Sequence, residues 1–144
     1  MQLASADRLA LEELYSKYCY FIDANDPEGW VSTWTPDGVF SRPVAGVNVG
    51  AAEDRKGHEE LKRQLLHWSD DQPASTDRPR HQHWVNNIWF ENITETSATG
   101  HASLMVVESG SEVARVITMG TYTDDLVKID ERWLFKKRTA TLWF

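Results

Sequence analysis

The sequence has little cysteine, proline or positive charge, and it has no long apolar run. Cys19 is the single cysteine in 144 residues, which excludes an internal disulfide framework and a multi-cysteine metal site. Because this thiol falls inside a helical apolar pattern, it reads as packing rather than as a reactive group. Five prolines and eight glycines mark turns without forming a linker or a low-complexity tract, and no internal repeat is present. The chain therefore reads as a single domain over residues 1–144, long enough for one substantial core. Lysine and arginine number 15 against 22 acidic residues, a net charge of -7, which argues against nucleic acid as a partner. No apolar stretch has spanning length and no secretory signal is evident, so the expectation is a soluble, cytoplasmic protein with no membrane partner.

Aromatic residues are plentiful. Seven tryptophans exceed what a core of this size needs, and two readings of them stand: walls of a cavity for a flat apolar ligand, or core and interface packing. The stretch from Leu11 to Phe40 organises the rest of the chain. Leu11, Tyr15, Tyr18, Cys19 and Ile22 recur at helical spacing, and Asp23 extends the same stripe by one turn. A carboxylate at the end of an aromatic-lined apolar face is costly to bury unless it is paired, so Asp23 requires a partner.

Ser5 is the expected N-cap of this helix, which should run to about Ala24 because Asp26-Pro27 disfavours continuation. Pro27 suits the first turn of a short second helix carrying Trp30, Val31 and Trp34. Pro36-Asp37-Gly38 reads as a turn leading into a strand at Val39–Phe40. Arg42–Lys56 reads as an exposed loop or hairpin, with a flap over a pocket as the functional alternative. From Gly57 a third helix presents His58, Leu61, Leu65 and Trp68 on one face, and Ser69–Pro79 reads as a polar loop. Strand-like segments follow at Arg80–Thr94, Ala98–Glu108, Val113–Lys128 and Arg132–Trp143, with turns at Ser109–Ser111 and Ile129–Glu131. Helices first and then consecutive strands indicate an α+β domain, with the helices packed on one face of a curved antiparallel sheet.

The segment RHQHWVNN, from Arg80 to Asn87, offers the partner for Asp23. Strict alternation puts His81, His83, Val85, Asn87 and Trp89 on one face and Gln82, Trp84, Asn86, Ile88 and Phe90 on the other. With His83 facing the helical stripe, Asp23 accepts a hydrogen bond from one ring nitrogen and leaves the other as a positioned base. A structural hydrogen bond between the same two residues is the plainer alternative. His81-x-His83 has the spacing for metal ligation, but no third ligand has recognisable spacing, so no metal is expected. His58, His67 and His101 read as surface or structural histidines.

Three blocks, YCYFIDANDPEGWVSTWTPDGVF, RHQHWVNNIWFENI and GTYTDDLVKIDERWLFKKRTATLW, resemble the SnoaL-like branch of the nuclear-transport-factor-like superfamily. The resemblance spans nearly the whole chain. It implies a cone-shaped α+β barrel, an apolar pocket between helices and sheet, and assembly into homo-oligomers, dimers or trimers, through the outer sheet surface. The lyases scytalone dehydratase and hexachlorocyclohexane dehydrochlorinase are similar in one feature. Each pairs an aspartate at the end of the first helix with a histidine on the first long strand, positions that match Asp23 and His83. The dehydrochlorinase also has an arginine on its last strand, matched by Arg138. Ile22, Arg42, Tyr18 and His101 depart from the residues these two enzymes carry at corresponding places.

The resemblance thus implies a cofactor-independent lyase acting on a small, cyclic, apolar or aromatic molecule. Asp23, His83 and Arg138 are its candidate catalytic residues. Tyr15, Tyr18 and Asn87 are candidate polar contacts to substrate, and Trp34, Phe40, Trp84 and Trp89 are candidate pocket walls. An isomerase or cyclase of a polyketide- or steroid-like ligand, and a non-catalytic binding domain, are the alternatives.

Overall fold

A computed structural model describes residues 1–43, 54–70, 80–110 and 112–143, and of 67–70 the backbone alone. Helix α1 covers Ser5–Asp23, α2 Pro27–Val31 and α3 His58–Asp70. The strands are β1 (Trp34–Ser41), β2 (Arg55–Lys56), β3 (His81–Glu91), β4 (Ser97–Glu108), β5 (Arg115–Ile129) and β6 (Arg132–Leu142). They form one six-stranded open sheet in the order β2-β1-β6-β5-β4-β3, with β2 and β3 at its edges. The α+β architecture is the one expected, with one amendment. β1 runs parallel to β6, while every other neighbouring pair is antiparallel.

Helix α1 buries Leu11, Leu14, Tyr15, Tyr18, Cys19 and Ile22, the stripe its spacing predicts. Complete burial of such side chains contributes roughly 1.5–3 kcal/mol each. Its N-cap is Ala4, not Ser5, and no side chain caps it. Asp7 in its first turn accepts a hydrogen bond from Trp133 Nε1 at 2.8 Å and an ion pair from Lys128 at 3.0 Å. These contacts hold the Asp7 carboxyl below its usual range, the tryptophan bond being the larger cause. They also fasten the helix start to the β5–β6 end of the sheet. The helix stops where Asn25 takes a left-handed φ of 53°. Asp26 then caps α2 by accepting from Gly29 N at 2.9 Å, with Pro27 at the first turn.

Pro36-Asp37-Gly38 does not form a separate turn. It lies inside β1, where the pairing with β6 shifts register between Trp34 and Val39. The tight β5–β6 connection is Asp130-Glu131, both at positive φ (49° and 62°), as a two-residue hairpin with matching twist requires. The flap reading of Arg42–Lys56 and the polar loop up to Pro79 fall largely outside the described residues. Within them Arg55–Lys56 is a short strand, and α3 extends to Asp70. Among the described residues no helix is long and apolar enough to cross a membrane.

Candidate functional site

The C-terminal end of α1 meets the edge strand β3. His83 Nδ1 lies 2.6 Å from Asp23 Oδ1, and the His83 backbone N–H donates to both carboxylate oxygens, at 3.1 and 3.0 Å. A carboxylate at this distance accepts, so Nδ1 carries a hydrogen, and in the neutral ring Nε2 is then the nitrogen with the lone pair. Each side chain is 18% exposed, sheltered yet open to solvent. Two causes converge here. The helical stripe ends on Asp23, and alternation along β3 turns His83 toward the helix.

That alternation does not persist along the strand. Asn87 adopts φ 54°, and the β3–β4 register shifts between Asn86 and Trp89. The bulge moves Ile88 and Phe90 to the inner face and turns Asn87 and Trp89 outward, opposite to the strict alternation. Trp89 is 50% exposed and stacks on His101, with centroids 4.4 Å apart and planes at 17°. Trp84 is 55% exposed, its Nε1 donating to Gln82 Oε1 at 2.7 Å. Asn87 Nδ2 donates to Ser103 Oγ at 3.3 Å in an exposed setting. Trp84, Trp89 and Asn87 are therefore corrected: they belong to the outer sheet face, away from His83.

Trp34 and Phe40 are buried, but as core. With Tyr18, Trp30 and Phe135 they form a nest of edge-to-face and tilted rings. Arg138 lies beside this nest and is fully buried. Asp124 grips it in a fork, accepting from Nε and from an Nη2 hydrogen at 2.8 Å each. The guanidinium also lies over the rings of Tyr122, Tyr18, Phe135 and Tyr15, at 3.7, 4.2, 4.2 and 5.0 Å. Tyr15 Oη donates to the second Asp124 oxygen. Among the described residues, Arg138 Nη1 has no hydrogen-bond partner.

Burial pushes these groups hard. It raises the Tyr15 and Tyr122 hydroxyls well above the usual tyrosine range, and Tyr18 to about 12, Arg138 opposing part of each rise. For Arg138 itself burial works against the charge, but attraction to Asp124 outweighs it and keeps the guanidinium protonated. The Cys19 thiol is pushed up to about 11, chiefly by burial. The positive charge of Arg138 opposes part of that rise and the Asp23 carboxylate adds to it.

Sequence reasoning missed Asp124 and Tyr122. The signal was there in TYTDDL, where alternation aligns Tyr122, Asp124 and Leu126 on one face of β5. Gly100 on β4 completes the cluster, because a Cβ there would strike Tyr15 Oη and approach Leu126 Cδ1 at 2.9 Å. Among the described residues no group of three metal-ligating side chains occurs.

Residues 4–139 match the SnoaL-like domain family. Several solved structures share the fold. A protein of unknown function from Mycobacterium tuberculosis, Rv3472 carrying D26N, is 22% identical over 95% of this chain and 72% of its own, with a TM-score of 0.79. A scytalone dehydratase candidate from Novosphingobium aromaticivorans is 22% identical over 96% and 85%, with a TM-score of 0.75. A protein from Catenulispora acidiphila, solved in complex with S-DNPA, is 19% identical over 96% and 95%, with a TM-score of 0.78. No curated protein matches the sequence significantly.

Proposed function

The chain belongs to the SnoaL-like domain family, and we propose that within it this protein is a cofactor-independent lyase acting on a small, cyclic, largely apolar metabolite. His83 removes a carbon-bound proton through Nε2, while Asp23 fixes the ring and stabilises the imidazolium that forms. The observation that carries this reading is the three-point clasp of His83 by the Asp23 carboxylate. A single bond would tie the two side chains together. The clasp also fixes the strand segment that bears the ring, so the free nitrogen has one direction. The scytalone dehydratase candidate among the structural neighbours agrees with an elimination.

Arg138, fully buried in its clasp with Asp124, supplies a fixed positive charge to the interior in this reading and not a contact to substrate. The Tyr15 hydroxyl is committed to Asp124, whereas Tyr18 stays protonated as a neutral donor. The outer face supports homo-oligomer assembly. Trp84, Met105 and Met119 lie side by side across β3–β5 with Trp143, just past the end of β6, beside Met119, and both tryptophans are more than half exposed.

A nitrobenzisoxazole, a carbon acid whose ring opening needs only a base, tests the mechanism without the natural substrate. His83→Ala is expected to lower kcat about 10²–10⁴-fold with KM little changed. Parallel loss of kcat and affinity would favour the binding-domain alternative. Undiminished turnover would remove His83 as the base.

A further inference from the structure

A second histidine–carboxylate pair stands on the same inner face, one alternation from His83. His81 Nε2 lies 2.9 Å from Glu108 Oε2, and Glu108 Oε1 accepts from Arg115 at 2.8 and 2.6 Å. These residues form a row across three strands, since His81 faces Glu108 and Glu108 faces Arg115 in the sheet register. The adjoining row holds His83 opposite Val106. Two residues of strand separate the histidines, about 7 Å between their Cα atoms. No residue of α1 lies beyond Asp23 to cover His81, whose side chain is 31% exposed. Glu108 is 16% exposed, and its carboxyl is held below the usual range, first by the His81 bond and then by Arg115.

Resting on the lyase reading, we infer that His81 is the acid partner of His83, donating a proton from Nδ1 to a departing oxygen while Glu108 steadies its charged ring. His83 Nε2 takes the proton, the electrons of the broken C–H bond form the new double bond, and the C–O bond breaks toward oxygen. His81 protonates that oxygen, so one imidazole gains what the other loses, and exchange with solvent resets both. A halide would leave without this help. The second pair therefore points to a hydroxyl, departing as water, as the leaving group, and to dehydration as the reaction. Among the described residues, Glu108 on β4 and Arg115 on β5 make the charged row with His81, and Asp23 at the end of α1 pairs with the neighbouring His83.

A plain alternative is that the row only braces the end of the sheet. A benzisoxazole series of graded leaving-group basicity separates the two. There the base takes the C3 proton, the N–O bond breaks, and a phenolate of chosen basicity departs. In His81→Gln, whose amide still reaches Glu108, the loss in kcat should grow from about twofold for the most acidic phenol to about 10²-fold for the most basic. A uniform loss across the series, or none, overturns the assignment and leaves His83 as the base. Equal rates for wild type and His83→Ala throughout the series defeat the lyase reading, and the role of His81 with it.

Discussion

Two carboxylates in this fold each hold a nitrogenous side chain from another element, in opposite surroundings. Asp124 and Arg138 are completely buried, and the arginine is gripped from one edge and covered by four aromatic rings. Asp23 and His83 are each 18% exposed, and one ring nitrogen stays without a hydrogen-bond partner among the described residues. The first arrangement immobilises charge, because neither member can lose its partner without stranding the other away from water. The second permits a proton to come and go. The same pairing of residue types therefore serves packing in one place and suits chemistry in the other, and solvent access makes the difference.

Removing the buried pair should give the largest effect. Asp124→Asn is expected to cost about 3–5 kcal/mol in denaturant unfolding, because it leaves Arg138 uncompensated and weakens the acceptor for Tyr15. His83→Ala, the more damaging change for turnover, should move stability by about 1 kcal/mol or less. Were the two variants equally unstable, the contrast between the pairs would be lost.

An alkaline titration sharpens it further. Tyr15, Tyr18, Tyr122 and Cys19 all have their ionisation raised by burial, so the folded chain holds protons that the unfolded chain releases. Their stability contribution is complete below the ordinary thiol and phenol values. It is lost as pH climbs from about 9 toward 12, at up to about 1.4 kcal/mol per pH unit for each group. Unfolding free energies measured from pH 8 to 11 should fall with increasing steepness. A flat profile would mean that the cluster is wet. The smallest effect belongs to the outer face, where Trp89→Ala should change monomer stability by about 0.5 kcal/mol and leave benzisoxazole turnover untouched. A large loss of turnover would return Trp89 to the site.

Much of this was legible in the chain because periodicity is a local property. The Tyr15–Tyr18–Cys19–Ile22 stripe and the four long strands emerge within a residue or three of their expected bounds. What escaped depends on single backbone conformations and on distant partners. The left-handed Asn87 reverses the facing of half a strand, so Trp89 and Asn87 were assigned to the wrong side. No local pattern announces that β1 and β6 run parallel, because their pairing joins the two halves of the chain. Alternation with Tyr122 and Leu126 separates Asp124 from the exposed Asp125, but its partners Arg138 and Tyr15 lie on other elements and no local pattern names them.

The Asp23 clasp has a consequence outside catalysis. Among the described residues strand β3 is the last in the sheet, and the His83 N–H bonded to Asp23 is a backbone donor that no described strand takes up. Exposed donors of this kind invite a foreign strand to add on, the first step toward aggregates. By occupying that donor with a charged side chain, Asp23 seals the sheet margin at the point where the base is held. Asp23→Ala would expose the margin as well as disarm the base, whereas Asp23→Asn keeps an acceptor there. Comparing the two by light scattering would show how much of the protein's colloidal stability depends on this carboxylate.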